Sequence, residues 1–327
     1  MPRCFPTLAT VLLMLAAGEA AAAAASFPAR AITIVCGFPP GNAADVQLRA
    51  LAQAMARELR QPVVVENRPG AAGTLAAGLV AKSRPDGYTL VQVTNTVVRQ
   101  PFIQPTGYDP IKDLRYVIGV TSFEFGLVVA ADAPWRSFQE FTAYARQHPN
   151  KVSYGSIGAG SVPHQVMMRI GSELGISWTH VAYKGSTPAQ SDLQGGHVHA
   201  LSDTTGWTPL VEAGKLRLLA VYNEHRLARF PQVPTLKELG LDIADHAPWG
   251  LAAPAGTPPE HVRMLHDAAR RALAAPEFLA ALHALGNEVR YMSSHDYERY
   301  MAARVAIERE VVEAYGLGRR DAASTAR

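Results

Sequence analysis

Two glycine-rich segments hold the residue types best suited to chemistry, and that chemistry is the gripping of an anion. The first is Phe38-Pro39-Pro40-Gly41-Asn42-Ala43-Ala44-Asp45, the second Ser156-Ile157-Gly158-Ala159-Gly160-Ser161. Each follows an apolar run that reads as a strand, residues 32–37 and 152–155, and each precedes a stretch of helical periodicity. A loop between a strand end and a helix start exposes unpaired N–H groups at the positive end of the helix dipole. Glycines permit the turns that aim successive N–H groups inward, so Ser156, Gly158, Gly160 and Ser161 are expected to form a carboxylate nest. Two such loops facing each other from separate domains would clamp a small anion.

Bond-breaking chemistry finds less support. Ser161 and His164 could be paired as in a hydrolase, but no Gly-x-Ser-x-Gly elbow occurs, and no Ser-x-x-Lys accompanies Lys184-Gly185-Ser186. Ser161 before a helix with Pro163 in its first turn also reads simply as an N-cap. The second loop lacks the Gly-Lys-Ser/Thr ending of a phosphate-binding loop. His197 and His199 are expected to share a strand face, yet no Cys, Asp or Glu completes a metal set. Neither a metal nor a cofactor is expected. Asp45 falls in the first turn of its helix, where the dipole favours a carboxylate. Thr94 and Asp203 end strands, at positions facing the expected cleft.

The elements that must position these residues alternate strand and helix. Strands are predicted over 32–38, 62–66 and 88–94, with helices between them. In the first helix Leu48, Leu51, Ala52, Met55 and Leu59 make one apolar face. That order implies a parallel, doubly wound sheet whose ligands bind beyond the strand carboxyl ends. A strand over 127–130 leaves this unit and opens a second α/β set. Its expected members are helices over 137–147, 162–174 and 188–195, and strands over 152–155, 179–183, 197–202 and 216–221. A strand over 249–253 and three helices, over 260–274, 277–285 and 295–315, complete the chain.

At 327 residues there is room for two domains of ordinary size. A net charge of +3 with scattered Lys and Arg argues against nucleic-acid binding. Arg3, the apolar residues 8–17 and the alanines at 20–25 have the anatomy of a signal peptide, with cleavage expected before Ser26. The mature chain would then hold one cysteine, Cys36, which excludes an intrachain disulfide. A soluble chain is expected, with residues 318–327 a disordered tail.

Taken in order, these residues resemble a family. Beyond the two loops, the resemblance rests on Glu66-Asn67-Arg68-Pro69-Gly70-Ala71-Ala72-Gly73, Pro85-Asp86-Gly87-Tyr88-Thr89-Leu90, Tyr108-Asp109-Pro110 and Tyr183-Lys184-Gly185. Asp192-Leu193-Gln194-Gly195-Gly196, Val233-Pro234-Thr235 and Ala253-Pro254-Ala255-Gly256-Thr257-Pro258 extend it. The chain is similar over nearly its whole mature length to the periplasmic solute receptors of tripartite tricarboxylate transporters, the Bug-type receptors. The resemblance implies two doubly wound α/β domains forming a clam-shell, with 27–126 and 247–317 in one and 127–246 in the other. It implies a receptor without catalytic activity, expected to be a monomer, that closes on a small carboxylate and presents it to a membrane permease. The ligand-binding residues would come from Phe38, Gly41, Asn42, Asp45, Thr94, Ser156, Gly158, Gly160, Ser161, His164 and Asp203. A ligand sensor for a signalling partner, and a hydrolase using Ser161 and His164, are the alternatives. One departure stands out: the family usually has a second glycine where this chain has Asn42. Asn tolerates the left-handed conformation, so it is expected to adopt it there and to bring its amide into the pocket.

Overall fold

The computed structural model describes residues 27–318. The expected leader, and the expected tail apart from Gly318, lie outside those residues. The chain begins with β1 (Ile32–Cys36), α1 (Ala43–Leu59), β2 (Val63–Asn67), α2 (Thr74–Ala81) and β3 (Thr89–Val93). β1 pairs parallel with both β2 and β3, as the alternation of strand and helix requires. α1 buries Leu48, Leu51, Ala52 and Met55 along one face, and Leu59 is half-buried at its end.

Next come α3 (Thr96–Ile103), β4 (Leu114–Phe123) and β5 (Phe125–Ala130). α4 (Phe138–Gln147), β6 (Ser153–Ser156), α5 (Val162–Leu174), β7 (Thr179–Ala182) and α6 (Ser186–Gln194) follow. β8 (Ala200–Thr204), the short α7 (Thr208–Glu212) and β9 (Leu216–Val221) lead to β10 (Ala247–Pro254). The chain closes with α8 (Pro259–Ala272), α9 (Pro276–Ala284), β11 (Val289–Met292) and α10 (Ser294–Ala314).

These strands form two mixed sheets, ordered β11-β4-β10-β3-β1-β2 and β7-β6-β8-β5-β9. Each carries helices, and together they make a two-lobed α/β clam-shell. The parallel trio β2-β1-β3 has a counterpart in β7-β6-β8. Beside each trio runs an antiparallel strand that has just crossed from the other sheet: β10 next to β3, and β5 next to β8. The forward crossing is abrupt, with only Glu124 between β4 and β5. Glu124 is buried there, paired with Arg290 at 3.0 Å and accepting a hydrogen bond from Asn223.

α3, α7, β4 and β11 are additions to the sequence expectation. The strand expected over 197–202 instead spans Ala200–Thr204, so His197 and His199 precede it in a bend and share no strand face. His199 Nδ1 accepts from the Ser153 N–H at 3.1 Å. No helix among the described residues is long and apolar enough to cross a membrane.

Candidate functional site

The first loop leaves β1 in the six-stranded lobe and is seated on its neighbour. A Cβ on Gly37 would stand 2.3 Å from the Gly73 carbonyl oxygen, so the two backbones touch where only glycine fits. Gly41 turns the chain with φ +79°. Asn42 does not share that conformation: its φ of −79° and ψ of 170° are extended, contrary to the sequence expectation. The reason is its task. It is the N-cap of α1, with Oδ1 accepting from the Asp45 N–H at 2.9 Å, and N-caps require extended backbone.

Asp45 is consumed inside the loop. Its carboxylate accepts from the Gly41 N–H (2.8 Å), Arg49 Nε (3.0 Å) and Asn67 Nδ2 (2.7 Å). Burial opposes its charge, yet these bonds hold its pKa below the ordinary value. Asp45 and Gly41 line no cleft cavity; they shape the loop.

The second loop, from β6 of the five-stranded lobe, closes on itself more completely. Ser156 Oγ meets Gly158 and lies 2.7 Å from His180 Nε2. Ser161 caps α5: Oγ accepts from the His164 N–H at 3.4 Å and donates to the Gly158 carbonyl at 2.7 Å. His164 Nδ1 accepts from the Gly160 N–H (3.0 Å), which assigns its proton to Nε2, and the ring stacks on His180 with centroids 3.9 Å apart. Burial first, then His180 and Arg99, push the His164 pKa down; burial does the same to His180. Both are neutral at pH 7, and the His164 ring does not reach the Ser161 hydroxyl.

Gly158 and Gly160 sit against the other lobe. A Cβ at Gly158 would come 3.2 Å from the Ala72 side chain, and one at Gly160 2.4 Å from Ile103 Cδ1. The buried Arg99 of α3 joins the lobes here. Its Nη1 donates to the Gly160 carbonyl at 2.8 Å, while Nε donates to Glu308 of α10 at 2.5 Å.

Between the loops lie two cavities, an inner one of 20 Å³ and an outer one of 230 Å³. Phe38 and Ile157 line both and so partition them. The inner space holds about one water, so a larger occupant requires the lobes to part or these two side chains to swing. Its polar lining is Asn42, Thr94, Thr96, Ser186 and Thr204, its apolar lining chiefly Phe123, Phe125 and Val162; no charged side chain takes part.

Of the residues singled out from sequence, Phe38, Asn42 and Thr94 line the inner cavity and Gly158 the outer one. Ser156, Gly160, Ser161 and His164 stand behind the lining and build the second loop. Asp203 is also behind it, fully buried. It accepts from Ser186 Oγ (2.7 Å), the Thr204 N–H (2.7 Å) and Gln190 Nε2 (3.2 Å). Burial pushes its pKa up to about 6, opposed by these bonds. Thr96, Ser186 and Thr204 escaped the sequence analysis. For Ser186 a signal existed, since it follows Lys184-Gly185 at a strand-to-helix junction.

Residues 47–317 match the model of the tripartite tricarboxylate transporter family receptor. A UPF0065 protein from the gbd 5' region of Cupriavidus necator is 44% identical over 95% of each chain. Among solved structures, the periplasmic binding protein BugD superposes with a TM-score of 0.86 at 28% identity, covering 89% of this chain and 99% of its own. MatC from Rhodopseudomonas palustris with bound malate gives 0.82 at 30% identity, over 88% of this chain and 100% of its own.

Proposed function

This chain belongs to the tripartite tricarboxylate transporter receptor family, and from that premise we propose that it captures a small carboxylate-containing anion between its lobes and delivers it to a membrane permease. One observation carries the proposal: the N-termini of α1, α3 and α5 converge on a single cavity without a charged side chain. They do so through Asn42 and Ala44, Thr96, and Val162 and Pro163. Attraction for an anion then comes from backbone N–H groups and helix dipoles, which suit a carboxylate. The malate held by MatC is a ligand of that chemical class.

In this function Phe38, Asn42 and Thr94 touch the ligand. Gly41, Asp45, Ser156, Gly158, Gly160, Ser161 and His164 keep the two loops in shape, and Asp203 holds Ser186 and Thr204. The protein works in the periplasm as a monomer after cleavage before Ser26, and opens about the two crossings, at Glu124 between β4 and β5 and between β9 and β10. It is a receptor rather than a hydrolase, in keeping with the separation of the His164 ring from Ser161.

A thermal-shift screen against a carboxylate library tests the proposal, followed by NMR of the compound released from the complex. A true ligand at 100 times its Kd adds about 2.7 kcal/mol of stability and returns unchanged. A library without a single stabilising carboxylate, or a compound recovered cleaved, overturns it.

A further inference from the structure

The hydrogen bonds around the inner cavity divide it into a donor side and an acceptor side. On the six-stranded lobe, Asn42 has committed Oδ1 to the Asp45 N–H, which leaves the Nδ2 donors for an occupant. Thr94 Oγ1 accepts from the Thr96 N–H at 3.4 Å, so its proton is free to donate. On the five-stranded lobe the polarity is reversed. Asp203, once ionised, can only accept; Ser186 Oγ, 2.7 Å away, must give it its proton. Thr204 Oγ1, 3.4 Å from the same oxygen, is drawn the same way. What these hydroxyls have left for a ligand is lone pairs.

Charge strengthens the division. Asp203 is fully buried, and its partners are Ser186, Gln190 and Thr204, none of them cationic. Ser186 and Gln190 both lie in the first turns of α6, so Asp203 already answers that helix's positive end. Asp45 in the first turn of α1 is matched by Arg49, so the N-termini of α1, α3 and α5 remain for a ligand carboxylate, and the Asp203 side of the cavity repels one.

We propose that the ligand is a carboxylate bearing a hydroxyl or ammonium group, its carboxylate toward Asn42 and Thr94 and its donor group toward Ser186 and Thr204. This rests on the receptor function above and deepens it by naming the second group of the ligand. A site built to accept a hydrogen bond rejects the analogue lacking the donor, because its buried acceptor is left unpaired.

Calorimetric titration with matched acids tests this: propionate, lactate and alanine; succinate, malate and aspartate; glutarate, 2-hydroxyglutarate and glutamate. Within any series that binds, the hydroxy or amino member is expected to bind at least tenfold tighter than the plain acid, and the better of the two tells a hydroxyl site from an ammonium site. Carboxylates that bind without that preference overturn the inference and leave the receptor function standing; no binding by any carboxylate overturns both. Ser186→Ala removes the lone pairs offered to the ligand's donor group while keeping the Thr204 and Gln190 bonds to Asp203, and should cost the hydroxy or amino acid at least tenfold more affinity than the plain acid, whereas a purely structural role would weaken both alike. Thr204→Val, which keeps the Thr204 N–H bond to Asp203, gives the same differential readout if Ser186→Ala does not fold. A preference undiminished in the variant that folds overturns the inference.

Discussion

The two lobes place a loop at the same point of the same strand order, after the middle strand of a parallel trio, yet use their cap residues differently. Asn42 has two ends: one caps α1 while the other faces the cavity. Ser161 has one hydroxyl, which accepts the His164 N–H and spends its proton on the Gly158 carbonyl, leaving no donor for an anion. An amide at an N-cap can serve fold and ligand at once, whereas a hydroxyl bonded on both sides serves only the fold. The acids behind the loops differ as well. Asp45 is matched by Arg49 and two further donors, while Asp203 is held by neutral donors alone.

The sharpest way to break this comparison is at Gly37. Gly37→Ala drives a Cβ into the Gly73 backbone, which cannot give way as a side chain can, and should cost about 3 kcal/mol or more. Urea denaturation measures it. A loss under 1 kcal/mol would mean that the first loop is not seated on Gly73.

The two acids should move stability in opposite directions with pH. The folded pKa of Asp203, about 6, lies above its ordinary 3.8, so its ionisation penalises the fold by roughly 3 kcal/mol at pH 7 and above. The penalty is relieved as pH falls from about 6 to below 4, and over that window the wild type should gain on Asp203→Asn. Asp45 has a lowered folded pKa, so its stabilisation is present above 3.8 and lost as pH falls through the folded value. Asp45→Asn should therefore be most destabilising at neutral pH and converge on the wild type in acid. Denaturation curves from about pH 2 to pH 8 check both slopes, Asp203 between about 6 and 4 and Asp45 below 3.8, and parallel slopes would remove the contrast.

Closure of the lobes can be challenged at Gly185, where a Cβ would come 2.5 Å from Pro39 Cδ of the other lobe. Gly185→Ala should fold, yet lose ligand affinity 10- to 100-fold, about 1.4–2.8 kcal/mol. Small-angle scattering should then detect no contraction on adding ligand.

The smallest effect separates the caps. Ser161→Ala should lower stability by about 1 kcal/mol and leave Kd unchanged, whereas Asn42→Ala should lower stability by a similar amount and also weaken binding. Equal effects of the two on Kd would erase the distinction between a cap that reaches the ligand and one that does not.

Much of this was legible in the sequence, because its signals are local. Apolar periodicity located α1 and β1–β3, and glycines with caps located both loops. α3 was hidden by Val97, Val98 and an internal Pro101, which do not read as helix. β4 was obscured because one residue separates it from β5, and the chain turns from one sheet to the other at Glu124 without a Gly or Pro there to mark it. β11 is short and carries no alternating burial pattern. Thr96, Ser186 and Thr204 became site residues only through the meeting of two lobes, and Asp203 was recognisable as a carboxylate near the cleft but not as the group that sets a neighbour's proton. Such roles belong to tertiary contact, which no window of sequence contains.

Cys36 in β1 gives the molecule a built-in clock. It is the free cysteine among the described residues, wholly buried, and burial pushes its thiol up to about 12. A thiol reagent needs both access and thiolate, and the native strand offers neither. In protein lacking residues 1–25 no other cysteine competes, so the rate of labelling counts how often β1 comes free of its sheet. Since β1 carries the first loop, a ligand at 100 times its Kd should slow that count about 100-fold, wherever freeing the strand also dismantles the site.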